Sequence, residues 1–324
     1  MMLKPFEAFY QLASAAKNYL YEKEFFKSLH LNASVISIGN LSFGGTGKTP
    51  CIEFLANELS RGFKVAVVCR SYKARLTAPA KVDLSNPQKT EIYGDEACLL
   101  QKKLPQCQVW SGPVKFLTAQ AADLEHPDLI LIDDGFSHRQ LQRDFDLVLF
   151  DTSYSNQDYF RESLESLKRA HAILLTKTHA SSPELIEAAK LKILKYAPQL
   201  ERSIFLSKTE TLIEVSTEAP IFLFCGLAKP MSFRTSIHNL GYEVSKFRSF
   251  SDHFSYPLAA QKEILKEYTE LKKQIPHLKL VTTEKDFVKL TDSDLLKVVI
   301  VAKHKMLLSD KDKVGLLEKI RTNL

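Results

Sequence analysis

Cysteine is sparse in this chain. Five occur in 324 residues, at Cys51, Cys69, Cys98, Cys107 and Cys225, odd in number and widely scattered, with no C-x-x-C pair. That pattern argues against a disulfide framework and against a zinc site, and it fits a reducing compartment. Long apolar runs are missing too. No stretch approaches the length of a membrane span, and the N-terminal segment lacks a basic stretch followed by an uninterrupted apolar core. The chain is therefore expected in the cytoplasm, or held to a membrane only at its surface. No internal repeat and no low-complexity tract is evident. What remains is ordinary globular composition, 45% hydrophobic and 25% charged, in a chain long enough for two domains. A net charge of +6 favours anionic partners such as nucleotides, phosphorylated substrates, acidic lipids or nucleic acid, without choosing among them.

One stretch organises the rest. Ser42, Phe43, Gly44, Gly45, Thr46, Gly47, Lys48 and Thr49 follow the apolar run Val35 to Ile38 and precede a segment in which Ile52, Leu55, Ala56 and Leu59 recur at helical spacing. A strand, a glycine-rich turn and a helix beginning at Lys48 form the setting of a P-loop. Glycines let the backbone approach phosphates, and the helix start supplies unpaired N–H groups and partial positive charge. Lys48 would then reach the β- and γ-phosphates of ATP, and the Thr49 hydroxyl would hold Mg2+. The strict pattern has glycine where Ser42 stands.

Taken in order, residues 3–27 read as an amphipathic helix. Phe6, Phe9, Tyr10, Ala13, Ala16 and Leu20 share one face, and Lys4, Lys17, Lys23 and Lys27 add positive charge along it. Such a helix either packs on a sheet or lies in a membrane interface. After the P-loop unit come apolar strands at Lys64 to Cys69, Asp128 to Ile132, Asp146 to Phe150 and Ala172 to Thr176, separated by helical patterns, with a polar surface excursion over residues 73–93. Apolar runs without alternation, separated by helices, predict an α/β fold with a parallel sheet covered on both faces and ligands at the strands' carboxyl ends. Thr209 to Pro220 reads as a hinge-like linker. It separates a P-loop domain (1–208) from a smaller C-terminal α/β domain (209–324) that opens at Ile221 to Phe224 and ends in a helix from Asp310.

Asp133 and Asp134 close an apolar strand, where P-loop enzymes place the carboxylate that binds Mg2+; turn-forming aspartates also occupy such positions. Locally, Asp95 reads as a helix N-cap and Glu96 as a favourable first-turn charge. His138, beside Arg139, reads on its own as a structural histidine. The adjacency of Asp252 and His253 carries little alone, and Lys285-Asp286 resembles a nucleotide-base motif only loosely.

Together and in this order these pieces resemble the tetraacyldisaccharide 4′-kinase family of the lipid A pathway. The resemblance spans nearly the whole chain. It runs through Val35 to Pro50, including Asn40 and the serine at 42, and Gly94-Asp95-Glu96. It continues with Asp133 to Arg139, Cys225-Gly226 with Pro230, Phe250 to His253, and Thr283 to Asp286 with Val288-Lys289. It implies transfer of the ATP γ-phosphate to the 4′-hydroxyl of an acylated disaccharide 1-phosphate at the inner face of the cytoplasmic membrane. Asp95 would be the general base and His253 would orient or tune it. Glu96, Asp133, Asp134 and His138 would organise Mg2+, ATP and the reacting groups, with Asn40, Arg139 and Asp252 in support. A meeting of Asp95 with His253 would require closure near residues 209–220, and an acylated acceptor favours membrane docking of the N-terminal helix. A monomer without nucleic-acid partners is expected.

Three departures stand out. Cys69-Arg70-Ser71-Tyr72-Lys73 lacks two glycines usual in the family, Ser137 replaces a glutamine, and Gly112-Pro113-Val114 occupies the place of an Asp-Arg pair. Two other readings stay open at this level. One is a nucleotide-switch ATPase of the partitioning or metallochaperone type, whose early loop lysine Ser42-Phe43 does not supply. The other is a non-catalytic relative that binds acylated sugar.

Overall fold

The computed structural model describes residues 20–21, 23, 25–41, 46–71, 74–152 and 162–324. The glycine segment Ser42, Phe43, Gly44 and Gly45 and nearly all of the amphipathic helix expected over 3–27 lie outside the described residues. Two compact units are present, one formed by residues 1–84, 91–209 and 306–324, the other by 85–90 and 210–305.

The first unit is built on the strands β1 (Ser34–Asn40), β2 (Val65–Arg70), β3 (Ala80–Lys81), β4 (Gln108–Gly112), β5 (Leu129–Asp133), β6 (Phe145–Asp151), β7 (Ala172–Thr176) and β8 (Ile204–Leu212). Their order is β8-β7-β6-β1-β5-β2-β4-β3, and every pairing from β8 to β4 is parallel; only the short β3 runs antiparallel. β1 lies between β5 and β6, with Ile38 opposite Asp133 and Asn40 opposite Leu149. The apolar runs have no polar alternation because both faces are covered. Ile36 and Ile38 point to one face, packed by helices Lys48–Leu59, Asp95–Lys103 and Asp310–Arg321. On the other face, Val35, Ile130 and Ile132 pack with Ala119 and Ala122 of helix Lys115–Asp123, and Val148 and Ile173 pack with Ile193 of helix Pro183–Tyr196.

The second unit orders β9 (Ile221–Cys225), β10 (Val244–Ser249), β11 (Lys279–Thr283) and β12 (Val299–Leu308) as β10-β9-β11-β12, all parallel. Helix Leu258–Gln274 buries Ile264 and Tyr268 against Phe222 and Leu280, while helix Pro230–Asn239 buries Phe233 and Ile237 against Leu223 and Val281.

Several sequence expectations are revised. The closing helix from Asp310 belongs to the first unit, because Leu316, Leu317 and Ile320 complete that unit's core. Residues 209–212, read as the start of a polar linker, continue β8 instead. The excursion over 73–93 contains the helix Lys89–Tyr93 and inserts Val82 into the core, with the partly buried Leu84 packed against it. The helix Pro230–Asn239, with its proline at the first helical position, has no counterpart among the sequence expectations.

Candidate active site

β1, β5 and β6 are parallel neighbours, so Asn40, Asp133 and Asp151 end on one edge of the sheet, where open α/β sheets hold ligands. Lys48 opens the helix that follows β1. Its Nζ donates to Asn40 Oδ1 at 2.9 Å and lies 3.5 Å from Asp134 Oδ1. Gly47 precedes it at φ 88°, ψ 24°, a left-handed conformation that favours glycine, and as the cap residue it has no side chain to spend on the helix's first N–H groups. The Thr46 hydroxyl is buried with no hydrogen-bond partner among the described residues. An uncapped helix start, a lysine and an unspent hydroxyl are the donors an anionic phosphate chain needs.

Asp134 takes a left-handed φ of 53° just beyond β5. The Lys115 ammonium, buried at the start of its helix, donates to the Asp134 carbonyl at 2.6 Å and stands 3.9 Å from the carboxylate. Burial pushes the Asp133 carboxyl up to about 6, and the Glu96 charge adds to that rise while Lys115 and Lys48 oppose it. Lys115 is pushed down by its own burial, against the pull of Asp134 and Asp133. Carboxylates that repel one another beside Lys48 and a helix start fit a divalent cation, which would relieve the repulsion. Among the described residues no three or more His, Cys, Asp or Glu side chains group to enclose a metal.

Gly94, not Asp95, occupies the cap position of helix Asp95–Lys103, at φ 91°, ψ 153°. Asp95 and Glu96 are therefore its first-turn residues, and the expectation that Asp95 is the N-cap is corrected. The turn after β5 is braced from below. Arg143 grips Asp146 through Nε at 2.9 Å and Nη2 at 3.1 Å, and its Nη1 donates to the His138 carbonyl at 3.1 Å. Arg169 lies 4.4 Å over the Phe136 ring and donates to the Phe136 carbonyl at 3.3 Å. The Arg139 guanidinium sits 5.5 Å from the Tyr21 ring centre.

The structure thus gathers Asn40, Thr46, Lys48, Glu96, Asp133 and Asp134, with Thr49 in the first helical turn and Asp95 beside Glu96. Asp252 and His253 belong to the second unit, where His253 is held at φ 60° and donates its N–H to the Gly226 carbonyl at 3.3 Å. Sequence reasoning missed Lys115, Arg143 and Arg169. A charged residue opening a helix after a parallel strand was the one signal for Lys115.

The family model described as tetraacyldisaccharide-1-P 4′-kinase matches residues 1–321. A tetraacyldisaccharide 4′-kinase of Bdellovibrio bacteriovorus is 33% identical over 304 residues, covering 89% of this chain and 88% of that protein. One from Desulfotalea psychrophila is 31% identical over 291 residues, covering 84% and 82%. The crystal structure of LpxK from Aquifex aeolicus in complex with ATP superposes with a TM-score of 0.73 at 26% identity, covering 99% of this chain and 98% of that one. This chain belongs to the tetraacyldisaccharide 4′-kinase family.

Proposed function

We infer that this protein transfers the γ-phosphate of ATP to the 4′-hydroxyl of a tetraacyldisaccharide 1-phosphate, releasing ADP. The observation that carries the reading is the cluster at the ends of β1 and β5, where Lys48 lies between Asn40 and Asp134 and burial with Glu96 raises Asp133. Phosphoryl transfer asks a protein mainly for position and charge neutralisation, and this cluster offers both.

Lys48, the N–H groups at the helix start and the loop from Ser42 to Thr49 bind the phosphates, with Asn40 keeping the lysine in place. Thr49, Asp133, Asp134 and Glu96 hold Mg2+, which when bound neutralises charge on the phosphates. Asp95 takes the proton of the sugar hydroxyl as its oxygen bonds to phosphorus and the bond to ADP breaks. His253, with Asp252 beside it, tunes that base, and His138 and Arg139 support the reacting groups. The acylated acceptor sets the reaction at a membrane surface, with the N-terminal segment as the docking element. Among the described residues no helix is long and apolar enough to cross a membrane. The nucleotide-switch reading is not favoured, because the family match extends through the second unit.

The test is Asp95→Asn, assayed with detergent-dispersed acceptor and Mg-ATP and read by mass spectrometry for phosphate at the 4′ position. The expected result is a kcat lower by roughly 100-fold or more with the ATP KM little changed, the signature of a lost general base. A folded Asp95→Asn protein with wild-type kcat removes the base assignment, and wild-type protein that makes no 4′-phosphate removes the reading as a whole.

A further inference from the structure

The motif Thr283-Glu284-Lys285-Asp286 with Lys289 has no part in the reaction outlined above, yet its carboxylate is among the most buried charges in the molecule. Asp286 is 0% exposed and Lys289 5%. Asp286 Oδ2 accepts the Gly226 N–H at 3.0 Å and the Thr283 hydroxyl at 2.7 Å, and Lys289 Nζ lies 3.5 Å from Oδ1. The Asp286 N–H returns to the Thr283 hydroxyl at 3.1 Å. A buried carboxylate with these partners is fully committed, and the groups it commits come from separate parts of the unit. Thr283 ends β11, Lys289 follows the short helix Glu284–Phe287, and Gly226 follows β9.

Gly226 is the link onward. Its N–H is held by Asp286, and its carbonyl accepts the N–H of His253 at 3.3 Å. A Cβ on Gly226 would meet the Ser251 carbonyl oxygen at 3.1 Å and Asp286 Oδ1 and Tyr256 Oη at 3.2 Å each, so the turn, the carboxylate and the His253 loop pack closely around this glycine. The loop carries two non-glycine residues in left-handed conformation, His253 at φ 60° and Tyr256 at φ 52°. Such conformations persist only where surroundings over-determine them. The aromatic packing supplies part of that constraint. Phe250 and Phe254 stack at 4.7 Å, each lies 5.1 Å from the Tyr256 ring, and Lys289 Nζ stands 5.8 Å from that ring's centre.

We propose that Asp286, through its bond to the Gly226 N–H, is the positioning residue that sets the backbone from which His253 acts. Lys289 and Thr283 hold the carboxylate in that role. The motif is then no nucleotide-base reader but the rear support of a histidine on a strained loop. The proposal rests on the part given to His253 in the reaction.

The experiment is a double-mutant cycle on the full chain. Asp286→Asn keeps the shape and removes the charge and one acceptor; it should lower kcat about tenfold with the ATP KM unchanged. In a His253→Ala background the same substitution should cost nothing further, because the position it maintains no longer carries an imidazole. Should Asp286→Asn fold poorly, Thr283→Val replaces it in the cycle, removing the hydroxyl that holds the carboxylate oxygen on the Gly226 N–H. Nitrogen-15 histidine spectra add a readout independent of turnover: the His253 signals should move in either variant. Equal losses of kcat in both backgrounds, or unmoved His253 signals in a folded variant, overturn the positioning role while leaving His253 in the reaction. If His253→Ala alone keeps wild-type kcat, the part given to His253 fails, and the role of Asp286 fails with it.

Discussion

Burial and the Glu96 charge together push the Asp133 carboxyl up to about 6. A carboxyl whose folded value lies above its unfolded one favours the protonated state. It therefore stabilises the fold fully below the unfolded value of about 3.9, and that contribution fades as pH rises through about 6. In nucleotide- and metal-free protein, Asp133→Asn should match wild type in Tm near pH ~4 and become the more stable of the two as pH rises to ~7, by about 2 kcal/mol. Thermal unfolding of both proteins across that range checks it; a difference independent of pH contradicts the burial account. A second cation at this turn, besides Lys48, is Lys115, which donates to the Asp134 carbonyl at 2.6 Å. It follows directly on Gly112-Pro113-Val114, the segment without the family's usual Asp-Arg pair. A buried ammonium is thus present at the turn despite the departure. Gly112 itself has no space for a side chain, since a Cβ there would fall 2.2 Å from Thr118 Oγ1.

At the scale of elements, β1 and the turn after β5 are fitted to each other through two glycines. A Cβ on Gly39 would sit 2.5 Å from Phe136 Cβ and 3.0 Å from the Phe136 nitrogen, and one on Gly135 would sit 2.8 Å from Ser37 Oγ. Backbone this close cannot yield cheaply, so Gly39→Ala should destabilise the protein by about 1–3 kcal/mol through overpacking. It should also lower kcat, because the displaced turn carries Asp134 against Lys48. Denaturant unfolding together with steady-state kinetics checks this, and a normal kcat in a destabilised protein would separate packing from catalysis. How much of this was legible in the sequence follows from which interactions are local. The strands announced themselves because two-sided burial leaves no alternation, and Lys48 through its spacing from the loop glycines. Asp133 and Asp134 were legible because they end an apolar run. Lys115, Arg143 and Arg169 were not, since each acts through a backbone carbonyl that only the folded turn brings near. The commitment of Asp286 to Gly226, sixty residues away, was equally invisible.

At the scale of the molecule, the chain passes between the two units at 84/85, 90/91, 209/210 and 305/306, so the single crossing read at Thr209 to Pro220 is one of four. The last return matters for stability. Helix Asp310–Arg321 buries Leu316, Leu317 and Ile320 in the same cluster as Ile36 and Ile38 of β1 and Ile52 and Leu55 of the helix that Lys48 opens. It is also pinned at its start, where Asp312 accepts the Leu206 N–H at 3.3 Å and Lys313 pairs with Glu58 at 2.7 Å. Truncating one buried leucine costs about 2–5 kcal/mol. Leu316→Ala should therefore take a large share of the roughly 5–15 kcal/mol that holds a domain folded. Deleting residues 310–324 should leave the first unit without cooperative unfolding. The two units predict different responses in hydrogen exchange: amides of β1, β2 and β5 lose protection, whereas those of β9 and β11 keep theirs. Uniform loss would mean that the units unfold as one body, and unchanged protection in β1 would mean that the helix is dispensable to the core it completes.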